Sequence, residues 1–228
     1  MKRTSYSGLA AIIVAGLFLA GCAGDTIKPE DKSGYLGDYS DMTGAKDAKG
    51  NEVFRYVNPK FSPNNYNAVI IAPVEFYPKP SPTDQVSQET MDQIRNYLNE
   101  TLSKTVGGKV KVVNTPAPFV ARLNVAITAA VPEKSSLKPY QYIPIAFVYA
   151  MGKRAVSGHE EDAKLVVEAR ASDSLSNDVL LKALRSGKGE DLEKVDGERK
   201  LTLEAIKPLV DKWAEGVAAE VSTFIKPR

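Results

Sequence analysis

The sequence predicts an α+β fold in which two main amphipathic helices pack against a single mixed, largely antiparallel β-sheet. Three observations predict this class. Apolar residues recur every four positions from Ile94 to Val106, as they do on one face of a helix. A second helical stripe, Leu209 to Phe224, lies near the C-terminus. Between the stripes, residues 123–131 and 165–171 alternate apolar and polar side chains, which is the period of a strand.

The chain opens with the charge and hydropathy order of a secretory signal peptide. Lys2 and Arg3 lie upstream of the uncharged run from Gly8 to Leu19, which is twelve residues long. A membrane-spanning helix needs roughly 20 apolar residues, so this run is short for a span. We therefore expect residues 1–21 to be a cleaved signal peptide that precedes the folded domain.

Cys22 is the only cysteine and follows this run after Ala20 and Gly21. A disulfide within one chain is excluded because Cys22 has no partner, and a catalytic thiol needs a base beside it. The residues Leu19-Ala20-Gly21-Cys22 resemble the lipobox of bacterial lipoproteins. The resemblance implies cleavage between Gly21 and Cys22 and diacylglyceryl transfer to the thiol. Since each buried CH₂ contributes about 0.8 kcal/mol, two or three acyl chains form a firm membrane anchor.

The residue after the cysteine bears on location. In lipoproteins of enteric-type bacteria, an aspartate at that position retains the protein in the inner membrane, and this chain has Ala23 there. The resemblance implies the bacterial cell envelope, at the periplasmic face of the outer membrane. The inner membrane stays open as the alternative.

The next segment is predicted to be a lipidated flexible tether, residues 22–32. It is polar, contains Gly24 and Pro29, and has no apolar periodicity. Ten such residues reach at most about 35 Å when fully extended. Residues 33–228 are expected to form a single globular domain held close to the membrane.

The folded body is predicted to begin with a buried strand in residues 66–74. A helix is predicted to start at Ser81, because Pro82 suits the first helical position and Asp84 complements free amides. Glycines tolerate positive φ, so the pair Gly107-Gly108 is expected to end this helix.

Three further strand signals follow this helix. Residues 109–113 form a short β-like run, and residues 123–131 alternate clearly. Residues 165–171 and 179–184, separated by turn residues, predict a β-hairpin. The C-terminal apolar stripe predicts the closing helix. Trp213 belongs to this stripe, so we interpret it as a core residue and not as an anchor for a partner.

The chain offers few candidates for catalysis or metal binding. His159 is the only histidine, and its neighbours Glu160, Glu161 and Asp162 are predicted to be hydrated carboxylates rather than metal ligands. The stretch Gly187-Lys188-Gly189 lacks the spacing of a phosphate loop and is predicted to be a flexible loop. We therefore expect no cofactor and no metal.

Charged residues on the 165–171 strand allow two interpretations. Glu168 and Arg170 share one face, and Asp173 follows at the end of the strand. Two carboxylates could serve acid–base chemistry. The favoured interpretation is ordinary outward-facing polar positions or a cross-strand ion pair.

The charge balance excludes one class of partner. The chain has 30 basic and 28 acidic residues, and loss of Lys2 and Arg3 with the signal peptide leaves 28 of each. Nucleic-acid-binding domains carry a clustered basic excess, which this chain lacks. We therefore expect no nucleic-acid partner.

The chain as a whole resembles the bacterial lipoprotein family catalogued as domain of unknown function 3313. The resemblance rests on S-G-Y-L-G-D-Y-S at residues 33–40, on Asn67 to Val74, on Glu168-Ala169-Arg170 before Asp173-Ser174, and on Trp213-Ala214. The family's usual Thr-Gly turn after the Asp-Ser pair is replaced here by residues 175–178. The resemblance implies an envelope lipoprotein and assigns no activity.

Two tyrosine-containing segments are candidate partner surfaces, because tyrosine combines a large contact area with a polar tip. The first has Tyr35, Leu36 and Tyr39, which could also dock on the domain. The second is residues 140–151, which could be a core element, a partner surface or a membrane-contacting element. Its candidate contact residues are Tyr140, Tyr142, Phe147 and Tyr149.

The expected function is that of a noncatalytic, membrane-anchored envelope lipoprotein with an accessory or protein-interaction domain. Its expected partners are the membrane, through acyl chains on Cys22, and an envelope protein. The alternative is a periplasmic lipoprotein that binds a lipid or glycan fragment. An envelope enzyme is a weaker alternative, because no nucleophile–base constellation is visible in the sequence.

Overall fold

A computed structural model of the chain describes residues 27–133, 162–195 and 197–226. The described strands are β1 (Thr43–Lys46), β2 (Glu52–Val57), β3 (Ala68–Ile71), β4 (Glu75–Phe76), β5 (Val120–Glu133), β6 (Asp162–Asp173), β7 (Val179–Asp191), β8 (Glu193–Val195) and β9 (Glu198–Lys200). The described α-helices are α1 (Gln88–Gly107) and α2 (Leu203–Phe224).

The main sheet has seven strands in the order β1-β2-β7-β6-β5-β3, and β4 also pairs with β5. The four pairs among β1, β2, β7, β6 and β5 are antiparallel, whereas β3 and β4 run parallel to β5. Strands β8 and β9 form a separate small hairpin. The predicted α+β class with a mixed, largely antiparallel sheet is confirmed.

Both helices pack on the same face of the sheet, which we call the inner face. Their apolar stripes join the alternating apolar side chains of β5 and β6 in the largest core cluster. Ile94, Leu165 and Ile206 are fully buried there. Each such side chain stabilises the fold by about 1.5–3 kcal/mol relative to an exposed one.

Helix α1 begins later than the sequence predicts. The prediction of a start at Ser81 is wrong: Ser87 is the N-cap, and its hydroxyl accepts a hydrogen bond from Thr90 N at 3.0 Å. The backbone of the preceding segment pairs elsewhere, since Leu201 N donates to Gln85 O at 2.9 Å. The helix ends at Gly107, as the pair Gly107-Gly108 predicts, but Gly108 has a φ of −72° and not the positive φ expected of it.

Strand β7 continues through a stretch that the sequence predicts to be a flexible loop. Gly187 and Gly189 lie within β7, where α2 crosses it closely. A Cβ at Gly187 would lie 2.9 Å from Trp213 Cζ2, and a Cβ at Gly189 would collide with Ala205 O. The glycines therefore serve helix–sheet packing and not loop flexibility.

Other boundaries differ from the predictions in smaller ways. The run 109–113 contributes a single bridge between Val112 and Val69 and no strand. The predicted strand 66–74 contains β3, and the predicted hairpin is β6–β7. The hairpin β1–β2 has no counterpart among the sequence predictions.

Candidate functional site

The second face of the sheet, which we call the outer face, carries a row of charged residues. Strand residues alternate between faces, so Ala163, Leu165 and Val167 of β6 face the helices, whereas Lys164, Glu168 and Arg170 share the outer face. Arg170 lies directly opposite Lys182 on β7 and Asn124 on β5. Lys164, Glu168 and Lys182 are buried, although α1 and α2 do not cover them.

Residues 27–42, which we call the N-terminal strap, cover this outer face. Leu36 and Met42 of the strap are buried against Val166 and Leu184 in a second apolar cluster. The cluster is much smaller than the inner-face core, so apolar burial contributes less on this side.

The first ionic contact of the strap is a buried salt bridge. Lys164 Nζ lies 2.7 Å from Asp31 Oδ1, and the side chains are 7% and 1% exposed. Residues 29–31 form a 3₁₀ turn that ends at this contact. Ordered packing therefore begins before Ser33, within the segment for which the sequence predicts a tether.

Glu168 is the centre of the second contact and is fully buried. Its Oε1 accepts a hydrogen bond from Ser33 N at 2.9 Å, and its Oε2 accepts one from the Tyr39 hydroxyl at 2.5 Å. The pKa of Tyr39 is raised to about 12. Burial is the largest cause, and the hydrogen bond to Glu168 and the negative charge of Glu168 add to it.

Lys182 makes the third contact, at the C-terminal end of the strap. Its Nζ lies 2.6 Å from Asp41 Oδ1 and donates to Asp38 O at 2.6 Å. It also lies 5.1 Å from the centre of the Tyr56 ring, within cation–π range. The sheet thus holds the strap through three charged side chains on two strands.

A polar groove of about 620 Å³ opens beside Lys182. Its walls come from the strap, the segment after β2 and the turn between β6 and β7. Arg170, Lys60 and Tyr66 line it, as do four aspartates, Asp38, Asp41, Asp173 and Asp178. Its volume lies within the range of about 300–1,000 Å³ that is typical of small-molecule sites.

A buried ionic cluster lies on the inner face beside α2. Arg185 lies 2.9 Å from Asp47 Oδ2, and the Asp47 side chain is fully buried. Burial raises the pKa of Asp47, but hydrogen bonds from Asn51 and Lys49 and the charge on Arg185 outweigh it and hold that pKa below its usual value. Arg55 pairs with Glu220 of α2. The cluster fastens the β1–β2 hairpin to the helix layer.

An apolar cavity of about 110 Å³ lies between α2 and the sheet. Its sheet wall includes Ala121, Ala169, Ala171 and Ala183. Their short side chains leave space beneath the helix. The cavity is smaller than the pockets of about 300 Å³ or more that hold typical ligands, so the outer groove is the better candidate site.

Within the described ranges, no group of three or more His, Cys, Asp or Glu side chains is arranged to hold a metal ion. Neither α1 nor α2 combines the length and apolar character that a membrane-crossing helix requires, and the same is true of the shorter described helices.

A protein-family model described as "Protein of unknown function (DUF3313)" matches residues 31–217. The chain belongs to the DUF3313 family. This family membership confirms the resemblance found in the sequence. The matched range includes Asp31 and most of the strap, all of the described sheet, and α2 as far as Val217.

Two curated relatives of this DUF3313 chain come from Escherichia coli strains K12 and O157:H7. Each is named "Uncharacterized lipoprotein YdcL" and is 33% identical over 216 residues, which are 94% of this chain and 95% of the relative. The name supports the prediction that this chain is a lipoprotein.

Solved structures give weaker likenesses. Hypothetical protein CT253 from Chlamydia trachomatis has a TM-score of 0.41 at 12% identity, and the match covers 68% of this chain and 98% of that one. The PelC dodecamer from Paraburkholderia phytofirmans, in space group P6, has a TM-score of 0.36 at 11% identity, with 72% and 96% covered.

Tyr35, Leu36 and Tyr39, the first predicted partner surface, contact other residues of the same chain. Leu36 is buried, Tyr39 binds Glu168, and the Tyr35 hydroxyl donates to Glu75 Oε1 at 3.1 Å. These residues therefore dock on the domain, which is the second possibility that the sequence allows.

The remaining predicted site residues fall in two groups. Gly21, Cys22, His159 and the candidate residues Tyr140, Tyr142, Phe147 and Tyr149 lie outside the described ranges. Asp173 accepts hydrogen bonds from Tyr66 and from backbone amides of the β6–β7 turn. The structure therefore gives Glu168 and Asp173 separate structural partners and does not join them in a catalytic pair.

Four residues of the strap contacts are absent from the sequence predictions: Asp31, Asp41, Lys164 and Lys182. Lys164 and Lys182 each interrupt an apolar run at an outer-face position, which is the signal that could have identified them. Asp31 carries no such signal, because its partner is 133 positions away in the chain.

Proposed function

We propose that the protein is a membrane-anchored, noncatalytic envelope lipoprotein whose body is an accessory or protein-interaction domain at the periplasmic face of the outer membrane. In this proposal residues 1–21 are removed and Cys22 carries the acyl chains. The lipobox pattern, the lipoprotein relatives and the family membership support the proposal.

The observation that carries the proposal is the short separation along the chain between Cys22 and the buried residue Asp31. Asp31, only nine positions later, is already buried in its salt bridge with Lys164. Nine residues span at most about 30 Å, so an acylated Cys22 would keep the Lys164 end of the sheet close to the bilayer.

The strap supports a fixed presentation of the domain as well as its proximity to the membrane. Contacts at Lys164, Glu168 and Lys182 hold the strap against two strands. An envelope protein in the same leaflet then meets the domain at a raised effective concentration, so modest affinity suffices for binding.

The anchor is tested by Cys22→Ser. We expect the variant protein to be unacylated and to leave the membrane fraction. Its melting temperature should stay that of the wild-type body, because the buried contacts of the described residues begin only at Asp31, nine positions after Cys22. Mass spectrometry and membrane fractionation check this. Full membrane retention of unacylated protein would contradict the proposal.

The proposed outer-membrane location is tested by Ala23→Asp in a host that obeys the aspartate sorting rule. We expect the variant to move to the inner-membrane fraction on a density gradient, with Ala23→Ser as the matched control that stays in place. An unchanged distribution of Ala23→Asp would contradict outer-membrane sorting through this position.

The proposed protein partner is tested by site-specific photocrosslinking in the native envelope. A crosslinking residue at Tyr142 is compared with one at Lys109, an exposed position after α1. We expect one defined adduct from position 142 that disappears in the Cys22→Ser background. The same adduct from both positions, or none from 142, would contradict a partner surface in that segment.

A second candidate function is the binding of a lipid or glycan fragment. The observation that favours it is the polar groove beside Lys182, whose size suits a small molecule.

A further inference from the structure

The polar groove beside Lys182 contains more acids than bases, but its acids already have partners. Asp38 accepts hydrogen bonds from Ser40 N and Ser40 Oγ, both at 2.8 Å. Asp41 pairs with Lys182.

The two aspartates of the β6–β7 turn are similarly occupied. Asp173 Oδ1 accepts from the amides of Leu175 and Ser176, both at 2.9 Å, and its Oδ2 accepts from the Tyr66 hydroxyl at 3.0 Å. Asp178 accepts from Ser176 Oγ at 2.9 Å. The amide of Ser176 is the largest cause of the low pKa of Asp173, which therefore stays ionised.

Of the three cations that line the groove, one has partners among the described residues and two do not. Lys182 is committed to the strap, but neither the Arg170 guanidinium nor the Lys60 ammonium makes a hydrogen bond or salt bridge with any residue in the described ranges. The groups left over for a ligand are thus positively charged, although the formal charge of the groove is negative.

The position of Arg170 gives a second, independent reason to look for a ligand. It lies directly opposite Lys182, and like charges on directly opposite strand residues destabilise a sheet. On its other side lies Asn124, which is uncharged and supplies no counter-charge. No residue in the described ranges forms an ion pair with Arg170.

We propose that the groove binds the phosphate group of a small molecule or lipid headgroup, with Arg170 as the principal ligand-binding residue and Lys60 as the second cation. The planar guanidinium fork matches phosphate oxygens in pairs. The Arg170 guanidinium has five N–H donors and the Lys60 ammonium has three, and this supply of donors suits the three terminal oxygens of a phosphate monoester. Tyr66 and Phe61, which line the same groove, provide surface for the remainder of the ligand.

This inference goes beyond the anchoring role and is independent of acylation. Its test therefore uses the full mature chain, residues 22–228, with Cys22→Ser, so that acyl chains cannot carry the protein to a bilayer. If the anchoring proposal is contradicted, this binding test is still valid. If the protein binds no phosphate, the fractionation experiments are still valid.

Two probes with the same chemistry distinguish the sources of the phosphate. Calorimetry with sn-glycerol 3-phosphate, against glycerol, tests a free phosphate monoester. Flotation with phosphatidylcholine vesicles, with and without phosphatidic acid, tests a lipid headgroup. Saturable binding to either phosphate probe supports the proposal and identifies the source, whereas binding to neither overturns it.

The variants separate a ligand contact from general charge. We expect Arg170→Gln to weaken binding about tenfold or more, since a charge-assisted pair is lost, and Arg170→Lys to recover only part of it. Arg122→Gln, a charge-matched control on the same face but outside the groove, should bind normally. Equal losses in Arg122→Gln and Arg170→Gln, or full binding by Arg170→Gln, would overturn the proposal.

A stability readout excludes a merely structural role. Because Arg170 faces Lys182, Arg170→Gln without ligand should melt at or above the wild-type temperature. A lower melting temperature shared by Arg170→Gln and Arg170→Lys would overturn the assignment, because it would show that the guanidinium supports the fold itself.

Discussion

The two faces of the sheet are covered by different means. On the inner face, two long helices bury a continuous apolar core that includes Trp213. On the outer face, a strap of irregular chain buries only a small apolar cluster and is held by Lys164, Glu168 and Lys182.

This difference shows that the stability of the body and the position of the strap have separate physical origins. Apolar area stabilises the inner face strongly but tolerates small shifts, since the hydrophobic effect has no direction. Buried charges add little net stability, but each requires its partner in place, because an unpaired buried charge is costly. The helix layer therefore stabilises the body, and the charged contacts fix the position of the strap.

The largest expected effect comes from the inner face. Trp213 is 6% exposed, packs over Gly187 and lines the apolar cavity. Trp213→Ala should enlarge that cavity and lower the free energy of unfolding by about 3–5 kcal/mol. Urea denaturation measures this, with the exposed Leu175→Ala as control. A loss no larger than that of the control would contradict a helix-borne core.

A smaller effect is expected at the centre of the outer face. Glu168→Ala leaves Ser33 N and the Tyr39 hydroxyl without their acceptor, which should cost about 2–3 kcal/mol. Hydrogen exchange should rise in the strap and stay unchanged in α1. The exposed Glu198→Ala is the control. Equal protection of the strap in wild type and Glu168→Ala would show that apolar contacts alone hold it.

Alkaline pH should act on the strap through Tyr39. The folded-state pKa of about 12 exceeds the ordinary value of 10, so the folded state favours the protonated hydroxyl. The protonated Tyr39 hydroxyl stabilises the folded state fully below about pH 10, and this stabilisation is lost as the pH rises towards 12. The melting temperature should therefore fall less steeply over this range in Tyr39→Phe than in wild type. Parallel curves would contradict the coupling to Glu168.

The smallest expected effect is at the exposed end of the same strap. The Tyr35 hydroxyl bonds Glu75 where water can replace it, so Tyr35→Phe should cost about 0.5 kcal/mol or less. Tyr39→Phe should cost about 1 kcal/mol at neutral pH because its partner is fully buried. Chemical denaturation of both variants decides the order, and equal losses would show that burial of the acceptor does not matter.

The inner face could be predicted from the sequence because its signals are local. The stripe from Ile94 to Val106 and the alternation in residues 165–171 each reveal a buried face without knowledge of the partner. The exceptions are positions where a distant element decides. Gly187 and Gly189 resemble a loop until α2 is placed above them, and pairing of Gln85 with Leu201 delays the start of α1.

The outer face could not be predicted in the same way. Glu168 and Arg170 have the same sequence pattern, two charged residues on the polar side of one strand. Only the strap distinguishes them: it buries Glu168 and leaves Arg170 exposed in the groove. Such a difference depends on contacts between residues more than a hundred positions apart, and alternation along one strand does not encode them.

The strap also determines how the body would respond to force. Its contacts lie in series along the chain, first Asp31 with Lys164, then Ser33 and Tyr39 with Glu168, then Asp41 with Lys182. Tension from an anchored Cys22 would load the first salt bridge alone before it reached the next contact. The strap would then unzip stepwise and lengthen the reach of the domain, while the helix layer and the sheet remain folded.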